Sequence, residues 1–149
     1  MNKANLLRKV LIIYLFSTLN VFADKFNFFD EGKILFNKEK FEQSKNYFER
    51  DIVFNPKSEK SYLYLAKIFS KNNNDLEQEI NLNNVLLLNP QNDEAIYMMA
   101  LLKIKQSDYD EVKKLIKKFI LVCTSFCSKE VEIQKKLDKL IPENAKDNN

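Results

Sequence analysis

Histidine and tryptophan are missing from this chain, glycine occurs once as Gly32, proline three times and cysteine twice. Each shortage excludes something. Without histidine there is no imidazole general base, no Ser or Cys triad of the usual kind, and little from which to build a zinc site. One glycine cannot make a phosphate-cradling loop. Sheet proteins need turn residues at short intervals, and here only Pro56, Pro90 and Pro142 interrupt long stretches, so the chain is read as all-α. The acids Asp108, Asp110 and Glu111 fall at an expected hairpin turn, where carboxylates favour a helix start. No catalytic residue, metal ligand or cofactor site is expected, and the chain is read as non-enzymatic.

Long apolar runs are equally scarce. The one present, Val10 to Val21, follows the basic residues Lys3, Arg8 and Lys9 and leads into Val21-Phe22-Ala23. A basic start, a short apolar core and a small-residue end form the layout of a secretory signal, so residues 1–23 are read as a signal peptide cut between Ala23 and Asp24. The other reading is a retained anchor. A spanning helix needs about 20 apolar residues, whereas Asp24 and Lys25 close this stretch early. Cleavage also removes three bases and no acid, so the 24 Lys and Arg fall to 21 against 21 Asp and Glu. A neutral chain lacks the basic field that nucleic-acid binding requires. We therefore expect an exported protein, in a bacterial periplasm, with no nucleic-acid partner and no integral membrane span after signal removal.

The residues that remain carry a period. Asn55-Pro56 and Asn89-Pro90 repeat one dipeptide, each after a run of apolar residues with helical spacing. Phe28, Gly32 and Leu35 line one face of a first helix; Phe41, Ser44, Phe48, Ile52 and Phe54 supply a second. Tyr62, Leu65, Ala66 and Phe69, then Leu82, Val85, Leu86 and Leu88, repeat the pair. Ile96, Met99 and Ala100, then Val112, Ile116, Phe119, Ile120 and Val122, repeat it again. Small residues recur at Gly32, Ala66 and Ala100, where two helices must approach closely. A fixed period of about 34 residues marks stacked helical hairpins that bury their faces only against neighbours.

This pattern resembles the tetratricopeptide repeat from Lys25 to Phe126, with departures at Glu31, Asp51, Gln78, Lys103 and Thr124. The resemblance implies a right-handed superhelical array of about three helix-turn-helix hairpins, residues 25–58, 59–92 and 93–126, within a domain of residues 24–141. Residues 128–141, with Val131, Leu137, Leu140 and Ile141 as an interrupted apolar stripe, are read as a capping helix, and 142–149 as a polar tail.

In that family the first helix of each hairpin lines a concave groove that takes peptides or helices. Carried onto this chain, the groove residues are Phe29, Lys33, Phe36 and Asn37; Leu63, Tyr64, Lys67 and Lys71; and Tyr97, Met98, Leu101 and Lys105. An aromatic row beside a lysine column suits an acidic segment carrying one or two large apolar side chains. The bland alternative is that the aromatics pack between hairpins while the lysines are merely solvated. A carboxylate clamp of the kind some family members use is not supported, because Phe29, Tyr64, Glu94 and Met98 occupy most of its positions and Glu94 would repel a carboxylate. The implied function is a protein-interaction scaffold; the alternative is a structural subunit that self-associates or docks permanently into an envelope complex.

Cys123 and Cys127 stand where the third hairpin should end. In an exported protein two cysteines this close suggest a disulfide. Two reduced thiols on one helical face and a redox-active pair are the alternatives, and the spacing is not Cys-x-x-Cys.

Overall fold

The computed structural model describes residues 27–140. The expected signal peptide, the Ala23–Asp24 junction and the polar tail lie outside the described residues. Within them the chain forms α1 (Phe28–Asn37), α2 (Phe41–Phe54), α3 (Glu59–Lys71), α4 (Asp75–Leu88), α5 (Asp93–Lys105), α6 (Tyr109–Val122), a 3₁₀ turn (Cys127–Lys129) and α7 (Glu130–Leu140). α1 packs on α2, α3 on α4 and α5 on α6, and each of α2 and α4 also packs on the first helix of the next hairpin. The second helices begin at Phe41, Asp75 and Tyr109, each one full period after the one before.

The turn inside each hairpin is made the same way every time. Glu39, Asn73 and Ser107 have φ of 58°, 54° and 61°, the left-handed conformation that ends a helix in a Schellman motif. The following amides of Lys40, Asn74 and Asp108 donate back to the carbonyls of Leu35, Phe69 and Lys103 at 3.0, 2.9 and 2.9 Å. Asn74 and Asp108 then cap the next helix, their side chains accepting from the N–H of Glu77 and Glu111. Between hairpins, α2 and α4 end at Asn55 and Asn89, where the following proline pushes its predecessor out of the helical region.

Two clusters fill the interior. Phe48, Leu65 and Ile68 are surrounded by Phe29, Phe36, Phe41, Ile52, Tyr64 and Phe69. A larger aliphatic cluster runs from Leu63 and Ala66 through Leu82, Val85, Ile96 and Met99 to Val112, Phe119, Ile133 and Leu137. Gly32 sits where α1 crosses α2: a Cβ added there would lie 2.8 Å from Cε1 of Phe48. Ala66 and Ala100, at the same phase in the later hairpins, are completely buried. Ser44 reaches across the first hairpin and donates to the Gly32 carbonyl at 2.8 Å.

The 3₁₀ turn and α7 together stand one period after α5, in the place of a further first helix. Ile133 and Leu137 join the aliphatic cluster. At the close-approach phase, in step with Gly32, Ala66 and Ala100, stands Gln134, which is exposed. Among the described residues no second helix packs on it, and a large polar side chain is tolerated for that reason.

Part of the expected apolar face is not core. Phe54 is 75% exposed, and Leu88 and Ile120 also face solvent, as do Val131 and Leu140 of α7. The first three lie in the last turn of a second helix.

Candidate functional site

The groove residues fall on α1, α3 and α5, one set per hairpin, because each first helix turns the same face to the inside of the array. The first two sets meet. Tyr64 stacks on Phe48 with centroids 5.0 Å apart, and meets Phe36 and Phe29 edge-on at 5.0 and 5.7 Å. Phe29, Phe36 and Tyr64 are half-buried, so each gives one side to the core and keeps another in the groove. Burial, with the nearby charge of Glu94, pushes the Tyr64 hydroxyl above its ordinary pKa. Leu63 is different: it is buried in the aliphatic cluster and offers little surface.

Lysines ring this aromatic cluster. The Lys67 ammonium lies 4.8 Å from the Tyr64 ring centroid and 2.8 Å from a Glu94 carboxylate oxygen. Lys71 lies over the ring of Phe41 at 4.9 Å, and Lys60 over that of Phe29 at 5.9 Å. Lys33 and Asn37 are exposed on α1. Cation–π contacts of this kind hold a lysine beside a ring while leaving its charge toward water.

The third set stands apart. The Tyr97 hydroxyl donates to Glu132 of α7 at 3.0 Å, its ring lies 6.1 Å from that of Phe126, and the Lys129 ammonium sits 5.6 Å above it. α7 therefore occupies the surface that Tyr97 would otherwise present. Bonds from Lys129 and Tyr97 hold the Glu132 carboxyl down at about 2, while burial and that same carboxylate raise the Tyr97 hydroxyl. Lys105 reaches Asp75 at 2.7 Å, and Met98 and Leu101 are half-buried.

Sequence reasoning missed the carboxylates that lock the far edge of the array. Glu59, first in α3, accepts from Asn89 and Asn92 in the loop that closes its own hairpin. Asp93, one period on and first in α5, accepts from the backbone N–H of Thr124, Ser125 and Phe126 at 2.8, 2.7 and 3.1 Å. Burial pushes the Asp93 carboxyl up, but those N–H bonds outweigh it and hold the group below its ordinary value. The matching spacing of the two acids was the available signal. In the same loop the sulfurs of Cys123 and Cys127 lie at disulfide distance, with their Cα atoms 5.2 Å apart.

Among the described residues no group of His, Cys, Asp and Glu is placed to hold a metal ion, and no helix is long and apolar enough to cross a membrane. A cleft between α4, α5 and α6 gathers Glu79, Lys103, Glu111 and Lys114. These charges serve each other: Lys103 bonds Glu79, holding its carboxyl below the usual range, and Lys114 bonds Glu111 at 3.0 Å.

No protein-family model matches the chain, and no curated protein is similar to it in sequence. Among solved structures it is similar to the Sgt2 TPR domain from Aspergillus fumigatus, with a TM-score of 0.65 at 12% identity, over 78% of this chain and 81% of that one. A likeness at this identity shows the fold: an all-α array of tetratricopeptide-type hairpins.

Proposed function

We propose that this chain is a non-catalytic interaction scaffold that holds a protein segment in the first two hairpins of its groove. The observation that carries this is the Phe29–Phe36–Tyr64 cluster, half open to the groove and bordered by Lys33 and Lys71, with Lys67 beside the Tyr64 ring already paired to Glu94. Rings that keep one face in water, beside cations, suit a segment with a large apolar side chain flanked by acids. The third hairpin contributes less, because α7 and Asp75 already engage Tyr97 and Lys105. Export to the periplasm follows from the signal layout of residues 1–23, and intact mass of the protein made in its own cell checks it: a chain still carrying Met1 to Ala23 would contradict cleavage.

The groove is tested by photo-crosslinking from Asn37 in intact cells, followed by identification of the captured segment. Lys33→Glu and Lys71→Glu should slow association with that segment and reduce its salt dependence while leaving the fold intact, because rim charges act mainly on encounter. Tyr64→Ala is a poorer probe, since Tyr64 also packs on Phe48. Binding indifferent to both lysine variants would rule out this groove as the recognition surface.

A further inference from the structure

The step from α1 to α3 is repeated by the step from α5 to α7. Phe29 of α1 meets Tyr64 of α3 with ring centroids 5.7 Å apart. Tyr97, two periods after Phe29, donates at 3.0 Å to Glu132, two periods after Tyr64. α7 therefore docks on α5 in the register in which α3 docks on α1. The loop before α7 fixes it from its N-terminal side as well, through the amide bonds to Asp93 and the Cys123–Cys127 pair.

That register carries the groove positions onto α7. One period after Tyr97, Leu101 and Lys105 stand Val131, Lys135 and Lys139, and all three are exposed. Val131 is 55% exposed where Leu63, two periods before it, is 9% exposed, because no further first helix covers it among the described residues. Charge along the groove is unevenly matched. Lys67 and Lys105 are engaged by Glu94 and Asp75, and Glu132 by Lys129 and Lys136. Lys33 and Lys71 at one end, and Lys135 and Lys139 at the other, are exposed with no carboxylate in ion-pair reach among the described residues. Of the exposed acids on these helices, Asp30 is bonded to the Asn27 cap, Asp138 accepts from Gln134, and Glu31 lines a cavity with Tyr47 and Arg50 of α2.

We infer that α7 is a fourth wall of the groove, and that Lys135 and Lys139 are a second station for an acidic segment, with Val131 as its apolar rest. The inference rests on the groove reading proposed above and adds what the groove measures. Packed helices stand roughly 8–10 Å apart, so two steps from α3 to α7 span about 20 Å. An extended chain covers that distance in about six residues. The partner chemistry is then a large apolar side chain beside one acidic pair, with a second acidic pair about six residues further on.

The test uses the full chain and a fluorescein-labelled synthetic peptide of that layout, a Phe beside one Asp pair and a second Asp pair about six residues on, followed by anisotropy. Replacing the second Asp pair with Asn should weaken binding about fivefold, the worth of two exposed ion pairs. The variant Lys135→Glu, Lys139→Glu should weaken the Asp peptide by about fivefold or more and change the Asn peptide little. A peptide with Lys at the second pair should bind that variant better than it binds the parent chain. The variant Lys33→Glu, Lys71→Glu should weaken both the Asp and the Asn peptide. All four positions are exposed, so the fold is kept. If Lys33 and Lys71 matter while the second Asp pair and the α7 lysines do not, this inference is overturned and the groove of the first two hairpins stands. If no peptide binds the parent chain, or binding ignores Lys33 and Lys71, both readings fall.

Discussion

The two ends of the array are held by different physics. At the first end Phe29, Phe36 and Phe48 of the first hairpin interlock with Tyr64 of the second, Phe48 lies against Gly32, and the carbonyl of Gly32 is tied to Ser44. At the other end the chain is closed by charge and polarity: Asp93 on three backbone amides, Glu132 on Tyr97 and Lys129, and the Cys123–Cys127 pair across one turn. Backbone and period are shared, yet the first end is closed by apolar rings, whereas the C-terminal closure is built from carboxylates and a cysteine pair at disulfide distance.

Breaking the aromatic end should have the largest effect. Phe48→Ala removes a completely buried ring at the centre of its cluster and should lower unfolding free energy by about 3–5 kcal/mol. Denaturant unfolding checks it, and a loss under about 1 kcal/mol would mean the rings can close over the gap. Gly32→Leu drives a branched side chain into the same ring and should cost about 1–3 kcal/mol; an unchanged thermal midpoint would contradict the α1–α2 crossing.

The polar end should respond more mildly and elsewhere. Thiol labelling should fail until reductant is added, and the Cys123→Ser, Cys127→Ser double variant should lose on the order of 2 kcal/mol, as expected for so short a loop. Free labelling before reduction would show two thiols instead. Asp93→Ala should cost about 1 kcal/mol, similar to the loss of a helix cap. Its specific signature is faster hydrogen exchange at Thr124, Ser125 and Phe126 with none at α1 or α2; uniform acceleration would show that the two ends are one cooperative unit.

The smallest effect is on pH. Glu132 has its carboxyl lowered from the ordinary 4.5 to about 2 in the folded chain. Its contribution is therefore complete above the ordinary value and fades as pH falls toward the folded one. Asp93 is lowered as well and works in the same direction. Amide protection in α7 should fall across that window before protection in α2 does, and Glu132→Gln should flatten the response at α7. Because Glu132 is partly open to solvent, the change should be modest.

Much of this was legible in the sequence because the repeat period fixes both helices of each hairpin at once. Gly32, Ala66 and Ala100 identify the helix crossings, since only small side chains fit there. The apparent departures from the repeat pattern were less legible, because their partners are distant in the chain: Asp51 bonds Ser61, Lys103 bonds Glu79, and the amide of Thr124 meets Asp93. The left-handed residues that close the hairpin turns, Glu39, Asn73 and Ser107, were not legible for another reason, that Glu and Ser carry no compositional mark of that conformation.

The sequence by itself determined that the protein is all-helical and made of stacked hairpins, because apolar spacing and small-residue phase are local properties carried by the order of residues. Only the tertiary structure decided which apolar residues are core and which are surface. Phe54, Leu87 and Leu121 belong to the same apolar helical runs as Phe48, Leu82 and Phe119, yet they are exposed while Leu86 and Val122 beside Leu87 and Leu121 pack on the core, because successive residues of a helix face different sides. It also decided that Tyr97 belongs to the closure by α7 while Tyr64 stays open to the groove, because that depends on which helix arrives next in space.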